Sequence, residues 1–419
     1  MKLFTLTGLL LLSPAVAMAG ADHEKLTSLL NLTLRHNPEI VAAEQASLAA
    51  RHRTGGSGWL PDPMIQINHF GSPIETRNGP QTSNIMISQK FPWPSTLNSM
   101  ESQAAGMAGM QRAHARALAL DVAFQTKSLV YQHILIRKKI ANKKRILASL
   151  ENLTGVVLAR LKVGKSSQGE VSRVNIERAR ISQDIRTMGA SLTRIRNELI
   201  RLAGKGSLPE LPAQLQPEWV GLPVDFTPAG ISFNDHPMVK MNEEKMARAS
   251  AAIDLQNSRR WPVLGASATW FRIDEPETMA GEDAGKDAWA VGLSLTLPVW
   301  SGKYSSLEDS HVAERSAAQA GLQGARLGLQ TKLQSLHDEY LATRDIVGMY
   351  RSDILPQANQ SLAANRKSYQ QGNVPFDRVI DNTMRLIRFE NQLEESRTKM
   401  ATLKAGIEKI LGRDFGRSS

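Results

Sequence analysis

Cysteine is absent from this 419-residue chain, which excludes disulfides, thiolate metal sites and cysteine nucleophiles together. Its absence also excludes lipoprotein attachment, which needs a cysteine directly after a leader. Aromatic residues make up only 5% of the chain, too few beside its basic runs to stack nucleobases. No G-x-S-x-G, P-loop or dinucleotide fingerprint occurs, and the nine histidines form neither H-x-H nor H-E-x-x-H. Bond-making chemistry therefore has no sequence support, and no cofactor is expected. After the first twenty residues no apolar run approaches the ~20 residues of a membrane helix, which excludes an inner-membrane transporter.

The start of the chain departs from a soluble protein. Met1-Lys2 is basic, Phe4 to Leu12 is apolar, Ser13-Pro14 breaks the run, and Ala17-Met18-Ala19 precedes Gly20. This is the pattern of a cleavable secretory leader, residues 1–19, too short to span a bilayer. Its removal would leave 400 residues in which Lys2 is the one basic residue lost from 51 Lys+Arg against 40 Asp+Glu. A basic exported chain suits lipid head groups, an acidic partner or nucleic acid, but a plain solvated surface is the commoner reading.

The chain is written twice. His36-Asn37-Pro38-Glu39-Ile40 recurs as Asp235-His236-Pro237-Met238-Val239, and Leu60-Pro61 as Trp261-Pro262. Gln89-Lys90-Phe91-Pro92-Trp93 recurs as Thr296-Leu297-Pro298-Val299-Trp300. Leu161-Lys162-Val163-Gly164 pairs with Tyr369-Gln370-Gln371-Gly372, and Leu202-Ala203-Gly204 with Ile410-Leu411-Gly412. The offset creeps from 199 to 208, as small loop insertions produce. The expected organisation is a first repeat over 20–204, a Pro-rich linker over 205–231, a second repeat over 232–412 and a tail over 413–419.

Each repeat reads as a helix, two strands, a very long helix, a Gly turn and a returning helix, so the fold class is mainly α with a small membrane β part. Strands are expected near 63–70, 84–91, 263–273 and 288–297. In the last, Trp289, Val291, Leu293, Leu295 and Leu297 point one way, and Ala290, Gly292, Ser294 and Thr296 the other. Large apolar residues on one face suit lipid; the same alternation fits a surface hairpin with one buried face. Four strands cannot close a barrel, since single-chain barrels begin at about eight. An open edge cannot exist in lipid. Strands that span a membrane here must be pooled from several copies.

Between Pro94 and Pro209 there is no proline, and 95–163 reads as one long helix. Leu118, Val122, Leu129, Ile136, Ile140, Leu147 and Leu150 suggest a coiled-coil seam, with Gln125 and Gln132 as polar holes. A second long helix is expected over 305–368 with a bend at Pro356, and return helices over 169–202 and 376–411. Gly164 and Gly372 are expected to end the long helices.

These elements resemble the outer membrane efflux protein family, the TolC-like outer membrane factors. The local matches are Asn37-Pro38, Leu60-Pro61-Asp62-Pro63-Met64, Ser88-Gln89-Lys90-Phe91-Pro92-Trp93-Pro94, and the tips at Gly164 to Val171 and Gly372 to Asp381. The resemblance implies a homotrimer whose pooled strands form a 12-stranded β-barrel in outer membrane lipid, continued by an α-helical periplasmic tunnel. It implies an exit duct working with a periplasmic adaptor and an inner-membrane pump, with no nucleic acid involved. The Leu-Pro-Asp-Pro-Met and Phe-Pro-Trp-Pro segments are most similar to the heavy-metal efflux branch; drug efflux and type I secretion are the alternatives within the family. A soluble periplasmic coiled-coil adaptor is the alternative outside it.

The resemblance also points to the helical tips, 161–173 and 369–381, as gate and adaptor contact, with Gly164, Glu170, Tyr369, Gly372, Asp377 and Asp381 as the residues concerned. Val374 stands where some relatives carry arginine and Arg378 where some carry aspartate, so those relatives' gate ion pair is not carried over. Read without the family, Asp381 is a carboxylate near a helix start, favoured by the macrodipole. Met100, Met107 and Met110 share a helical face, and Met238, Met241 and Met246 accompany His236; soft thioethers suit soft cations, but methionine at helical spacing is far more often core filling, so both sets are weak metal candidates. Arg137, Lys138, Lys139, Lys143, Lys144 and Arg145 form the densest basic run, a solvated helix face or a contact for an acidic partner.

Overall fold

The computed structural model describes residues 14–276 and 282–412. The elements of the first repeat are α1 (Pro14–His36), α2 (Pro38–Ser57), β1 (Met64–Thr76), β2 (Gly79–Phe91), α3 (Pro94–Lys162) and α4 (Gln168–Ala203). A link whose one helical turn is α5 (Pro217–Val220) leads to the second. There follow α6 (Pro237–Ser258), β3 (Val263–Ile273), β4 (Ala288–Thr296), α7 (Ser301–Met349), a π turn (Tyr350–Ile354), α8 (Leu355–Gln370) and α9 (Phe376–Leu411). Of the expected leader, residues 1–13 lie outside the described residues, and Ala17-Met18-Ala19 falls within α1. The tail, 413–419, also lies outside them, as does 277–281 of the β3–β4 loop.

The repeated motifs have repeated physical jobs. Asn37 caps α2: its Oδ1 accepts from the N–H groups of Glu39 and Ile40 at 3.0 Å each, and its Nδ2 donates to the Leu202 carbonyl at 2.9 Å. Pro38 follows at the first helical position, where its missing N–H costs nothing. Gly204 and Gly412 end α4 and α9 in the left-handed region, with φ of 63° and 67°. At Gly204 a Cβ would lie 2.1 Å from the His36 carbonyl oxygen, so no larger residue fits. The long-helix ends at Gly164 and Gly372 have φ of 72° and 85°.

Compactness follows a different partition from the repeat. One unit comprises residues 43–115 and 237–325, and holds the sheet and the helix segments that flank it in sequence. Its helices meet at small residues: a Cβ on Gly106 would lie 2.8 Å from Arg248 Cβ, and one on Gly321 2.9 Å from Asn242 Oδ1. The other unit comprises 1–42, 116–236 and 326–419 and holds no strand among its described residues, its long helices being joined by the irregular link. It carries two apolar clusters. Leu29, Val130, Ile134, Ile195, Leu199 and Trp219 centre the first. Leu150, Val157, Val174, Phe376, Val379 and Ile380 centre the second, beside the tips.

Several expectations are corrected. β1 and β2 are each 13 residues, longer than the strands expected near 63–70 and 84–91. They continue through polar and proline positions to a tight turn at Arg77-Asn78, closed by Gly79 at φ 127°. Backbone pairing rather than side-chain alternation sustains this outer part. The buried stripe of α3 runs through Val122, Thr126, Val130 and Ile134 and resumes at Ile146, Leu150 and Val157. Leu118, Leu129, Ile136, Ile140 and Leu147 of the expected seam are only partly buried, and Gln125 and Gln132 face solvent. Thr126 can sit fully buried because its hydroxyl donates to the Val122 carbonyl at 2.8 Å.

The second long helix is not continuous α. Pro356 has no N–H for the carbonyl four residues back, and Leu355 N–H donates to Tyr350 O, five residues back. The basic run of α3 is not simply solvated. Lys143 reaches Asp184 at 2.6 Å, Lys139 pairs with Glu395 and Arg145 with Glu390, so three of its six charges bind α3 to the return helices.

The stripe is testable. Ile134→Ala should lower stability by about 2–5 kcal/mol, the range for truncating a fully buried aliphatic side chain. Gln125→Ala should change it by less than about 0.5 kcal/mol. Thermal unfolding of the purified protein reads both.

Candidate functional site

Two regions carry the residues that sequence singles out, one in each unit. The first is the sheet, whose order is β1-β2-β3-β4 with every neighbour antiparallel. The register aligns side chains into rows. Ile67, Ile85, Trp270 and Trp289 form one, and Ile65, Ile87, Ala268 and Val291 the next. Phe91, Leu264 and Leu295 form a third on the same face. The opposite face carries Asn68 and Asn84, joined at 2.8 Å, then Ser88 against Ser267 and Ser267 against Gly292.

The apolar face is uncovered. Trp289 is 77% exposed, Val291 69% and Leu293 89%, with Leu295, Leu297, Ile65 and Ile67 also exposed. The residues expected to face lipid thus lie together on one surface, with Leu297 just past the end of β4. An apolar face of this extent in water would be an aggregation site. β1 and β4 each pair on one side only among the described residues, so each leaves a row of backbone N–H and C=O groups open.

The second region is the pair of tips, α3–α4 and α8–α9. Arg160 near the end of α3 clasps them: its guanidinium donates to the Tyr369 carbonyl at 2.8 Å and to Lys165 O, and stacks 4.6 Å from the Tyr369 ring centroid. The Tyr369 hydroxyl donates to Glu170 at 3.4 Å, and its ring meets Phe376 edge-on at 5.6 Å. Burial pushes the Tyr369 phenol above its ordinary value, the Glu170 carboxylate adds to the rise, and Arg160 opposes it. Glu170 also accepts from Ser166 Oγ at 2.5 Å, while its own N–H donates to the capping hydroxyl of Ser167.

Arg173 on α4 faces two carboxylates of α9, Asp377 at 2.7 Å and Asp381 at 3.8 Å. Asp381 lies in the second turn of α9, beyond the first-turn positions where the macrodipole acts most strongly. Gly164 and Gly372 supply the left-handed turns that allow both tips to reverse. The tip residues named from sequence therefore converge in two linked groups. Arg160 and Arg173 were not singled out. Arg160 could have been found only by placing a cation one turn before each tip glycine and noticing that its counterpart in the second repeat is Ser368.

The methionine candidates do not assemble. Met100 and Met107 border a hollow shared with Arg248 and Arg259, and Met110 borders another with Lys245 and Arg248. Guanidinium groups in that position oppose a metal cation. His236, beside Met238, Met241 and Met246 in sequence, is buried with its pKa lowered chiefly by desolvation. Among the described residues no group of three or more His, Asp or Glu could hold a metal ion. No helix among them is long and apolar enough to cross a membrane.

Comparison with known proteins follows this geometry. Residues 233–413, the second repeat, match the outer membrane efflux protein family. No curated protein matches by sequence. The fold is similar to that of CusC, described for its folding and transmembrane channel formation, with a TM-score of 0.75 at 16% identity over 93% of this chain and 92% of that one. It is similar to the outer membrane protein VceC of Vibrio cholerae, with a TM-score of 0.76 at 17% identity over 94% and 97%. It is similar to the open state of the MtrE outer membrane channel of Neisseria gonorrhoeae, with a TM-score of 0.75 at 18% identity over 93% and 89%.

Proposed function

We infer that this chain, whose second repeat matches the outer membrane efflux protein family and whose fold over nearly its whole length is similar to that of outer membrane channels, is the exit duct of a tripartite efflux pump. The observation that carries the reading is the sheet: one apolar uncovered face and two open edges. Such a sheet can stand in lipid only if its edges pair with those of other copies, because unpaired backbone groups there cost several kcal/mol each. Three copies would pool twelve strands, and the polar, small-residue face would then line the pore.

The duct is passive. Its energy and its choice of cargo come from an inner-membrane pump, and a periplasmic adaptor meets the tips. Arg173 with Asp377 and Asp381, and Tyr369 with Glu170, hold the two tips of one protomer together and set how readily the periplasmic entrance widens. Heavy-metal cations are the proposed cargo, on the likeness of the Leu60-Pro61-Asp62-Pro63-Met64 and Phe91-Pro92-Trp93-Pro94 segments to that branch. The scattered methionines suit a conduit that does not retain what it passes.

Three outcomes are expected. Detergent-extracted protein should have the mass of three copies and form ion-conducting pores in planar bilayers; a non-conducting monomer would refute the duct. Asp381→Ala should change conductance or cation preference, and unchanged values would leave Asp381 with a purely structural part in its pair with Arg173. Deleting the gene should lower survival on copper, silver, zinc, cobalt or cadmium; unaltered metal tolerance with new drug sensitivity would move the cargo to drugs.

A further inference from the structure

The formal charge of the chain is not spread along it. Residues 133–201, which are the later part of α3, the first tip and α4, hold 16 Lys and Arg against 5 Asp and Glu. The rest of the chain holds 35 against 35, so this one hairpin carries the whole surplus of +11. The matching stretch of the second repeat, 337–412, holds 11 against 10. Both repeats build a helix, a glycine turn and a returning helix there, so the surplus is not what folds the hairpin. Pooling copies does not neutralise it either, because each copy brings no excess acid from outside its own hairpin.

Ion pairs use only part of the surplus. Lys139, Arg145 and Arg173 are answered from α9, and Lys143, Arg178 and Arg201 from Asp184, Glu151, Glu198 and Glu39. Arg137, Lys144, Arg180, Arg186, Arg194 and Arg196 are exposed and form no ion pair with an acid among the described residues. Arg173, Arg180, Arg194 and Arg201 recur at multiples of seven, so they share one exposed face of α4, turned from buried Val174, Ile181 and Ile195. That face is about 40 Å long at 1.5 Å per residue. Arg137 and Arg196, one from each helix, stand near enough to His133 to add to the lowering of its pKa that burial begins. Between Arg137 and Val157 of α3, and between Glu177 and Arg201 of α4, no large hydrophobic residue is exposed. A protein partner is gripped by aromatic or aliphatic anchors in a compact patch. A long surface of cations without anchors suits a diffuse polyanion.

We propose that the α3–α4 hairpin is a docking surface for peptidoglycan, an extended polymer whose stem peptides carry free carboxylates. Guanidinium groups match carboxylates with paired hydrogen bonds, and many weak contacts to one polymer add through multivalency. The exposed arginines of α4 make these contacts, while the cations already paired with acids hold the hairpin to its neighbours. The proposal rests on the duct reading for its place in the periplasm, and adds to it a stationary partner beside the pump and the adaptor.

Co-sedimentation of the full chain in detergent with purified sacculi tests it. The protein should pellet with sacculi, and binding should fall at least fivefold between about 0.05 M and about 0.5 M salt. Changing Arg180, Arg186, Arg194 and Arg196 together to glutamine should lower binding at least fivefold and leave pore conductance in planar bilayers unaltered. The same loss of charge in the second repeat, by Arg366→Gln, Lys367→Gln, Arg385→Gln and Arg388→Gln, should lower it less than twofold. Sacculi with amidated carboxylates should not bind. Equal losses in the two quadruple variants overturn the assignment to this hairpin. Binding that survives amidation, or no binding to native sacculi even where an acidic protein is retained, overturns peptidoglycan as the partner. A conducting trimer that ignores sacculi overturns this inference and leaves the duct standing. A non-conducting monomer that binds them through α4 overturns the duct and leaves the docking surface standing.

Discussion

Strand β1 offers a row of N–H and C=O groups that no strand among the described residues accepts, and β4 offers a second. Every other property of the sheet is read against that constraint. Water could satisfy both rows, but water would also meet a face of tryptophan, isoleucine, valine and leucine that nothing among the described residues covers. Lipid suits the face and forbids the open rows. Copies of the same chain, edge to edge, would reconcile the two demands, and the short polar side chains of the opposite face would then look into a wet interior.

The helical unit solves a different problem, the pairing of very long helices without long-range apolar continuity. Its two apolar clusters are reinforced by ion pairs that run between elements far apart in sequence. Lys127 and Glu408 meet at 2.7 Å with both side chains largely buried, and Lys143, Lys139 and Arg145 of α3 are each answered from α4 or α9. Buried pairs of this kind add little net stability, but losing one partner leaves the other charge at high cost, so they penalise wrong registers. The proline-induced π turn in the second long helix adds a local break in the ladder where its counterpart α3 is uninterrupted.

Much of this was legible because the determining signals are local. Asn37-Pro38 reads as a helix start, and the tip and terminal glycines read as left-handed stops, since capping geometry depends on a few consecutive residues. Alternation over Trp289 to Leu297 fixed which residues share a face, because strand geometry has period two. The outer half of β1 and β2 was not legible. Pro73, Glu75 and Pro80 carry no alternation, and only pairing with a neighbouring strand makes them strand. The seam of α3 was misplaced in part because several apolar residues compete for each turn, and the choice among them is made by what the return helices present.

Length of helices, the twofold writing of the chain, the faces of the strands and the deficit of strands needed for closure are properties of the sequence alone. They follow from proline and glycine placement and from periodicity. The sheet order, the sorting of the methionines into separate cation-lined hollows, the capture of the basic run by acids of α4 and α9, and the meeting of Arg160 with Tyr369 and of Arg173 with Asp377 and Asp381 were decided only by tertiary structure. Each joins side chains tens to hundreds of positions apart, and no local pattern encodes which distant charge or ring will stand opposite.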